Sequence, residues 1–341
     1  MSTKIVDIKQ DGFERVVEVR NDKVGLYGYV AIHNLFLGPA LGGIRYKEYN
    51  AGSYALRDVC ELACAMTKKN SLANINYGGG KAVIIKHSSP QNREDVYKAM
   101  GEAIEQLNGL YICCEDMGTV TQDLYSILET TKHCTGTKSN SGISTAEGLF
   151  YVFETYCSCE EIKLSDITVT VVGLGKVGWA LAELLYLAGV SLNVSDIDDD
   201  RMIKFWREHN PNKNNYISPL GVAHQEGCEV YSPCAVGGIL NRHSRQDLNC
   251  NAIIGSANNQ LDTKETARWL HKRGILYFPD YLVNAGGVIA LAAELDNQMD
   301  NLNYSLWMIG ERSQEIRRLA ESQHRSLFEV TENLAFERLK R

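Results

Sequence analysis

Residues 167–196 contain a strand pattern, a glycine-rich turn, a helix pattern and a second strand pattern in direct succession. The first segment, ITVTVV, is a β-branched run typical of a strand buried on both faces. It leads into GLGKVG, in which Gly173, Gly175 and Gly178 fit the pattern GxGxxG. The segment WALAELLYLAG then predicts a helix, and VSLNVSD predicts a strand that ends in Asp196. Together these elements predict a βαβ unit of a doubly wound, Rossmann-type α/β domain.

This unit also predicts a dinucleotide site. Glycine allows the tight turn, the close approach of backbone to a pyrophosphate at the helix N-terminus, and close packing of helix on strand. Asp196 comes 23 positions after Gly173 and can accept hydrogen bonds from both ribose hydroxyls. It would repel a 2′-phosphate, and carboxylates at positions 198–200 add negative charge, so NAD is predicted over NADP. Arg201, the nearby cation, is predicted to be solvated.

Composition limits the remaining possibilities. With 341 residues, 44% hydrophobic content and 23% charge, the chain has the composition of a globular protein long enough for two domains. The net charge of −7 and the lack of a long Lys/Arg run argue against nucleic acid as the main partner. A small molecule is therefore the expected partner.

Targeting and metal signals are weak in this sequence. The N-terminus lacks an apolar secretory segment, and no stretch reaches the roughly 18 apolar residues of a spanning helix. We therefore expect a cytoplasmic location and no membrane partner. The ten cysteines form no CxxC pair and no Cys/His cluster, which predicts reduced thiols and no metal site.

The first half of the chain has a different pattern. Short apolar strand candidates alternate with one helix, residues 53–73, whose apolar side chains recur at helical spacing. A second helix is predicted from about Gln91 to Leu107, and the strand after it ends in Glu115 and Asp116. Carboxylates at the carboxyl end of a strand usually face a crevice, which makes these two candidates for a site.

The stretch NYGGGKAVII places three glycines, residues 78–80, directly before Lys81. A phosphate-binding loop would need glycine at position 75 and serine or threonine at position 82, where this chain has Ile75 and Ala82. The phosphate interpretation is therefore weak, and Lys81 needs another explanation.

Eight segments, in order, resemble the signature segments of one enzyme family. They are LGPALGGIR, MTKKN, YGGGKAVI, EDMGT, GLGKVG, SPCAVGGILN, GSANNQL and PDYLVNAGGVI. The resemblance is to the NAD-dependent amino-acid dehydrogenases of the Glu/Leu/Phe/Val dehydrogenase family. It implies two α/β domains with an active-site cleft between them, and a homo-oligomer built through the first domain.

The resemblance also implies where the domains divide. Residues 1–138 would form the substrate-binding and catalytic domain, and residues 139–317 the NAD-binding domain. The helix 318–341 would fold back on the first domain. The polar segment 131–148 predicts a linker or hinge between the two.

Specific residues take roles from the same resemblance. Lys69 resembles the lysine that binds the substrate α-carboxylate, and Lys81 the catalytic lysine. Asp116 resembles the carboxylate that exchanges a proton with the amino group, and Asn258 the asparagine near the amine and the cofactor. The implied cofactor-binding residues are Gly173, Leu174, Gly175, Lys176, Val177, Gly178, Asp196, Ile197, Cys234, Ala235, Ala257, Asn258, Asn284 and Thr145.

The implied reaction is reversible oxidative deamination. After hydride loss from Cα, Lys81 would deprotonate a water that attacks the iminium carbon, and Asp116 would transfer protons until ammonium leaves. Burial beside Lys69 predicts a pKa of Lys81 lowered toward working pH. The glycines at 78–80 are predicted to let the backbone approach the substrate.

The substrate side chain would meet a largely apolar pocket. Together with Lys69 and Asn258, the implied substrate-binding residues are Leu41, Gly42, Gly43, Cys114, Val288 and Leu291. The residues that line the side-chain pocket, Leu41, Cys114, Val288 and Leu291, include no cation. A glutamate side chain is therefore disfavoured, since an unpaired buried carboxylate is costly. The pocket residues, with Asn70 and Glu115, favour leucine, valine and isoleucine, and phenylalanine is the alternative.

Two departures from the family pattern affect these expectations. Lys68 stands where the family has an aromatic residue, which would add a third cation near the carboxylate site. The loop before the second domain, SNSGIST, is short, which leaves the cofactor contacts of Ser144 and Thr145 open. A non-catalytic NAD-binding regulator is the alternative from another functional class.

Overall fold

The structure is a computed structural model that describes residues 3–86, 92–209, 216–217, 223–225 and 227–340, with backbone only at 216–217. The chain divides into two compact units. Unit 1 comprises Met1–Asn140, Ala290–Met299 and Ala335–Arg341, and unit 2 comprises Ser141–Ile289 and Asp300–Leu334.

Unit 1 contains a six-stranded mixed sheet with the order β1-β2-β3-β5-β4-β6. Its strands are β1 (Lys4–Ile8), β2 (Arg15–Asn21), β3 (Leu26–Asn34), β4 (Ala40–Lys47), β5 (Gly78–Ile85) and β6 (Tyr111–Glu115). The first three strands and β5 pair antiparallel, whereas β4 pairs parallel with both β5 and β6. The carboxyl ends of β4, β5 and β6 therefore lie along one edge of the sheet.

Helices cover both faces of this sheet. They are α1 (Gly52–Leu72), α2 (Arg93–Glu105) and α3 (Thr121–Leu128). The buried face of α1 packs with Val83 of β5 through Val59 and Ala63. On the other face, residues of α2 and α3 pack with Ala82 and Ile84 of β5. The strand β5 is buried throughout, which explains its continuous apolar sequence.

Unit 2 contains a six-stranded parallel sheet with the order β12-β11-β10-β7-β8-β9. Its strands are β7 (Thr168–Val172), β8 (Ser191–Ser195), β9 (Tyr216–Ile217), β10 (Cys228–Pro233), β11 (Cys250–Ile253) and β12 (Leu276–Tyr277). The chain runs from β7 to β8 on one side and returns to β10 on the other. The turn after β7 therefore lies at a topological switch point, where ligands bind in such sheets.

The helices that follow in the chain complete the described elements. They are α4 (Ser141–Cys159), α5 (Lys176–Leu187), α6 (Asp199–Glu208), α7 (Lys264–Lys272), α8 (Asp280–Val283), α9 (Gly286–Leu295), α10 (Leu302–Ser322) and α11 (Leu327–Glu337). Together with the sheets, they confirm the predicted two-domain α/β fold class with a Rossmann-type second domain.

The C-terminal segment differs from its prediction. Only Ala335–Arg341 belongs to unit 1, whereas residues 318–334 belong to unit 2. Phe328 packs against the unit 2 core, and Glu332 accepts a hydrogen bond from Tyr281 at 2.7 Å. At the extreme end, Arg338 donates to the carbonyl of Ile75 at 2.9 Å.

The segment 131–148, predicted as a linker or hinge, is not wholly a loop in the structure, because its second half is the start of α4. Its first half is held by Glu294 of α9, whose carboxylate accepts four backbone N–H groups of residues 136–139 at 2.8–3.3 Å. These hydrogen bonds lower the pKa of Glu294 despite its partial burial, which by itself would raise it. The partly buried carboxylate of Glu294, rather than a set of apolar side chains, therefore orders this part of the segment.

Among the described residues, no helix is both long enough and apolar enough to cross a membrane. The predicted second helix begins at Arg93 in the structure, and Gln91, where the prediction started it, lies outside the described residues.

Candidate active site

Lys81 lies in the middle of β5, between β3 and β4. Side chains two residues apart in a strand share a face, so Lys81 is on the same face as Val83, which is the face covered by α1. Its side chain is 6% exposed. A buried ammonium needs a counter-ion, and the strand order supplies one.

Asp116, which follows β6 directly, is that counter-ion. Its Oδ1 lies 3.0 Å from the Lys81 Nζ, and its Oδ2 lies 3.0 Å from the Arg45 Nε. Burial alone would raise the pKa of Asp116, but Lys81 and then Arg45 outweigh it and lower the pKa to about 2. Asp116 is therefore ionised while both cations beside it are protonated. The predicted proton exchange between Asp116 and the substrate amino group stays a prediction.

Arg45 extends the ion pair to a second carboxylate. It lies on β4 with its side chain 14% exposed, and its Nη1 donates to both oxygens of Asp58 on α1 at 3.1 and 3.2 Å. The hydroxyl of Tyr49 donates to the same carboxylate at 2.5 Å. Lys81, Asp116, Arg45, Asp58 and Tyr49 thus form a continuous chain of charged and polar contacts, called here the Arg45 network.

The glycines before Lys81 are in close contact with neighbouring elements of unit 1. A Cβ on Gly79 would lie 2.1 Å from the Thr67 Oγ1 and 2.2 Å from its backbone nitrogen on α1. A Cβ on Gly78 would lie 2.0 Å from the carbonyl oxygen of Asn34, and one on Gly80 would lie 2.9 Å from the Tyr111 ring. The glycines therefore let α1 and neighbouring strands approach β5, a reason for their presence that the sequence did not show.

Gly42 and Gly43 are likewise explained by protein contacts. A Cβ on Gly42 would lie 1.9 Å from the carbonyl oxygen of Gly80. One on Gly43 would lie 2.4 Å from the carbonyl oxygen of Glu115 and 2.7 Å from the Asp116 Cβ. Gly43 is thus required for the position of Asp116 beside Lys81.

The two lysines at the end of α1 differ in their surroundings. Lys69 is half-buried in the last helical turn. The Lys68 Nζ lies 5.5 Å from the centre of the Phe336 ring, a cation–π contact with the C-terminal helix. Lys68 thus contacts an aromatic side chain in unit 1, an alternative to the carboxylate-site role suggested by its position in the sequence.

Residues of the predicted side-chain pocket are brought together around Gly136. A Cβ on Gly136, whose φ is +98°, would lie 2.9 Å from the Leu291 Cδ2 and 3.9 Å from the Cys114 Cβ. Leu41 is completely buried on the neighbouring strand β4. Val288, also predicted for the pocket, is buried in unit 2. Gly136 was not predicted, and only its contacts show its relation to the pocket.

The glycine turn after β7 fits a dinucleotide. Gly173 has a φ of +101°, and a Cβ there would lie 2.7 Å from the backbone nitrogen of Ala235. A Cβ on Gly178 would lie 1.8 Å from the carbonyl oxygen of Gly173, which explains the close packing of α5. A Cβ on Gly175 would meet nothing within 4 Å, which leaves the N-terminus of α5 open to a phosphate group.

Asp196 lies at the carboxyl end of β8, as predicted, and is buried. Its Oδ2 accepts from the backbone nitrogen of Leu174 at 2.5 Å, and its Oδ1 accepts from that of Asp198 at 2.9 Å. Arg201 is not simply solvated, which corrects the prediction. Its Nη1 lies 3.4 Å from both oxygens of Asp196, and its Nη2 lies 3.3 Å from Asp198.

The other implied cofactor residues lie at the same edge of the parallel sheet, after β10 and β11. The backbone nitrogen of Cys234 donates to the carbonyl oxygen of Val172 at 2.7 Å. The backbone nitrogen of Ala257 donates to the carbonyl oxygen of Pro233 at 2.9 Å. Ile197, 82% exposed, and the unpredicted Val236, 69% exposed, are apolar side chains at this edge. Exposed apolar groups beside a nucleotide turn suit an adenine ring. Leu174 is buried, Val177 half-buried and Lys176 exposed.

Asn284 orients Asn258. The Asn284 Nδ2 donates to the Asn258 Oδ1 and to the carbonyl oxygen of Ser256, each at 3.0 Å. The Asn284 Oδ1 is buried and has no hydrogen-bonding partner among the described residues. A buried acceptor of this kind fits an amide N–H of a ligand. Thr145, in contrast, donates to Ser141 at 2.7 Å and accepts from the backbone nitrogen of Gly287 at 3.0 Å, so its hydroxyl joins α4 to α9.

Sequence reasoning missed Arg45, Asp58 and Tyr49. Arg45 is in the signature segment LGPALGGIR, so it could have been noticed, but nothing in the sequence pairs it with residues 58 and 116. The Arg45 to Asp116 contact spans 71 positions.

A parallel sheet with a glycine turn at its switch point is typical of dinucleotide-binding domains, and the buried lysine–carboxylate pair of unit 1 is a candidate for proton transfer. Residues 13–133 match the family profile described as Glu/Leu/Phe/Val dehydrogenase, dimerisation domain. Residues 136–337 match the profile described as Glutamate/Leucine/Phenylalanine/Valine dehydrogenase. The chain belongs to this family. It is an NAD-dependent amino-acid dehydrogenase.

Individual relatives agree with this assignment. The chain is 34% identical to a phenylalanine dehydrogenase of Thermoactinomyces intermedius, over 97% of this chain and 92% of the relative. It is 37% identical to a leucine dehydrogenase of Geobacillus stearothermophilus, over 83% and 78% respectively. The crystal structure of L-tryptophan dehydrogenase from Nostoc punctiforme superposes with a TM-score of 0.82 at 31% identity, covering 96% of each chain. These relatives favour the enzyme over a non-catalytic regulator.

Proposed function

We propose that the protein catalyses the reversible oxidative deamination of a branched-chain L-amino acid, namely leucine, valine or isoleucine. The observation that carries this choice is that Leu291 and Cys114, two residues of the proposed side-chain pocket, both lie around Gly136 in unit 1, where a Cβ would come 2.9 Å from the Leu291 Cδ2 and 3.9 Å from the Cys114 Cβ. A glutamate side chain would need a cation there, because an unpaired buried carboxylate is costly. Phenylalanine is the second candidate, because relatives named for leucine and phenylalanine are similarly identical to this chain.

Three residues of unit 1 carry the proposed substrate chemistry. Lys69, at the half-buried end of α1, binds the α-carboxylate. Lys81 takes a proton from the water that adds to the iminium carbon and returns it as ammonium leaves. Asp116 is the counter-ion for Lys81, since its Oδ1 lies 3.0 Å from the Lys81 Nζ and the ammonium lowers the pKa of the carboxyl group.

The proposed cofactor site is in unit 2. Bound NAD supplies the hydride acceptor for the reaction. The turn 173–178 and the N-terminus of α5 hold the pyrophosphate, and Asp196 holds the ribose. Asn284 is the proposed acceptor for an amide N–H through its buried Oδ1, and it fixes the orientation of Asn258.

We also propose a homo-oligomer assembled through unit 1, supported by the dimerisation description of the family profile over residues 13–133. A cytoplasmic location is proposed because all ten cysteines are free thiols, as suits a reducing compartment.

A panel of L-amino acids tests the substrate proposal. Protein and NAD are mixed with each amino acid at alkaline pH, and NADH is followed by absorbance. We expect kcat/KM for leucine, valine or isoleucine to exceed that for phenylalanine by about 10-fold or more, since about one methylene of misfit costs 1–3 kcal/mol. A preference for phenylalanine would reject the branched-chain proposal and select the second candidate.

The Lys81→Ala variant tests the catalytic proposal. We expect turnover to fall by about 10²–10⁴-fold, the usual contribution of a positioned acid–base group. NAD binding, measured by fluorescence titration, should stay unchanged. Lys86→Ala is the matched control, because Lys86 directly follows the same strand but pairs with Glu48 at an exposed position. Full turnover in Lys81→Ala would refute the role of Lys81.

A further inference from the structure

Asp116 is contacted by two cations of different character. Its Oδ1 faces Lys81 and its Oδ2 faces Arg45, each at 3.0 Å. A lysine can gain and lose its proton within a reaction cycle, whereas the arginine guanidinium stays protonated in proteins. One of the two positive charges is therefore permanent.

Arg45 is itself held in place from the opposite side. Its Nη1 is shared between the two oxygens of Asp58, and Tyr49 donates to Asp58. The guanidinium thus bridges a carboxylate of α1 to the carboxylate after β6, a geometry that the single ammonium of a lysine cannot reproduce. The side chain has few alternative positions, because it is only 14% exposed.

Charge counting shows what Arg45 adds. With Lys81 protonated, two cations balance the carboxylates of Asp116 and Asp58. When Lys81 loses its proton, Arg45 remains the cation beside Asp116. Without Arg45, proton loss from Lys81 would leave Asp116 buried with no cation in contact, which is strongly unfavourable.

We propose that Arg45 is a positioning residue that keeps Asp116 ionised and aimed at Lys81 while Lys81 gains and loses its proton, and that Asp58 and Tyr49 fix Arg45 for this purpose. The inference rests on the proposed catalytic roles of Lys81 and Asp116.

The other groups around the network stay neutral in the working range. Burial raises the pKa of Cys114, on β6, to about 12. Burial also raises the pKa values of Tyr111, on β6, and of Tyr49, which follows β4. On α1, Asp58 is already in the network, and the cation of Lys69 is expected at the substrate carboxylate. The remaining charged groups of α1 lie in other contacts, since Arg57 pairs with Glu61 at exposed positions and Lys68 contacts the Phe336 ring. A pH effect of changing Arg45 therefore reports the Lys81 and Asp116 pair.

The test is the pH profile of kcat/KM for deamination in the full-length Arg45→Gln variant. Removing the permanent cation makes proton loss from Lys81 less favourable. We expect the rising limb of the profile to move to higher pH by about one unit, and turnover at neutral pH to fall by about 10-fold. Arg45→Lys keeps a cation but cannot bridge both carboxylates. Its rising limb should stay at the wild-type pH, while its turnover should be lower than that of wild type at all pH values.

Two further variants keep the test decisive. The double variant Arg45→Gln with Asp58→Asn removes the Asp58 carboxylate that Arg45→Gln alone would leave unpaired. We expect this variant to fold, as checked by circular dichroism. The rising limb of its pH profile should still move to higher pH. Arg15→Gln is the matched control, because Arg15 makes a similar contact, Nε to Asp7 at 2.7 Å, in the same sheet. An unmoved limb in both Arg45→Gln and the double variant would overturn the inference.

Parallel variants separate this inference from the proposed function. If Lys81→Ala and Asp116→Asn retain turnover, the catalytic assignment itself fails. If both lose turnover while Arg45→Gln keeps the wild-type profile, only the role of Arg45 fails.

Discussion

The carboxylates of Asp116 and Asp196 occupy equivalent places in the two units, each directly after a parallel strand and each beside an arginine. Asp116 has a cation at each oxygen, at 3.0 Å from Lys81 and from Arg45. Asp196 is instead held by two backbone N–H groups, from Leu174 and Asp198. Its arginine is further away, at 3.4 Å, and is 44% exposed.

This difference shows how neighbouring groups divide similar carboxylates between two tasks. Paired buried cations give Asp116 a low pKa and a fixed charge, which suits a reaction in which charge moves. Backbone donors fix the orientation of Asp196 and leave its charge available to hydroxyl groups of a ribose. The position in the fold is the same, but the groups that contact the two carboxylates differ, as suits the different roles proposed for them.

The largest expected effect separates the two carboxylates by kinetics. We expect Asp116→Asn to lower kcat by about 10²–10⁴-fold, because the counter-ion of Lys81 is lost. Asp196→Asn should leave kcat within about 5-fold of wild type and should raise the KM for NAD, since a hydrogen bond to a charged group is worth about 1.5–3 kcal/mol. Steady-state kinetics of both variants checks this. Similar losses of kcat in the two variants would show that Asp116 and Asp196 do not have the different roles proposed here.

Cofactor choice provides the next test. In Asp196→Asn, we expect the ratio of kcat/KM for NAD to that for NADP to fall by about 10–100-fold, because the repulsion of a 2′-phosphate is removed. The ratio is measured with both cofactors at one pH. Asp116→Asn is the control, and its ratio should match that of wild type. An unchanged ratio in Asp196→Asn would contradict the ribose assignment.

Acid stability sharpens the electrostatic side of the comparison. The pKa of Asp116 is lowered from 3.8 to about 2, so its contribution to stability is present above pH 4 and is lost as the pH falls to about 2. We expect the difference in unfolding free energy between wild type and Asp116→Asn to shrink by about 2 kcal/mol from pH 5 to pH 2. Urea titrations measure it.

The matched control for acid stability is Asp22→Asn. Asp22 pairs with Arg20 at a position 74% exposed, where an ion pair contributes little. The difference in unfolding free energy between wild type and Asp22→Asn should stay nearly constant over the same pH range. A constant difference for Asp116→Asn as well would show that the two cations do not set its ionisation.

The smallest expected effect belongs to Arg201. Because the contact with Asp196 is long and partly exposed, we expect Arg201→Ala to lower the KM for NAD by no more than about 5-fold, as the Asp196 oxygens become available. Activity with NADP should fall further, since a cation near the ribose is removed. A rise in the KM for NAD would show that Arg201 itself supports cofactor binding.

Several features were readable from short stretches of sequence. The strand, glycine turn, helix and strand at 167–196 were predicted and match β7, α5 and β8, because backbone preference and apolar spacing act over a few residues. The long helix α1 was predicted at 53–73 and observed at Gly52–Leu72 for the same reason. The predicted linker 131–148 contains the boundary between the units, at Asn140 and Ser141, but its second half is helical. Its first part is ordered by hydrogen bonds to Glu294, more than 150 positions later, which local sequence does not show.

The sequence by itself determined the two-domain α/β class and the dinucleotide turn, and it singled out Lys81 as a candidate, since these depend on local patterns and ordered signature segments. Only the tertiary structure decided which charges meet: Asp116 with Lys81 and Arg45, and Asp196 with Arg201. It also showed that the glycines before Lys81 admit a helix and neighbouring strands. The physical reason is that ion pairing and close packing depend on distance in space, which strand order sets and local sequence does not.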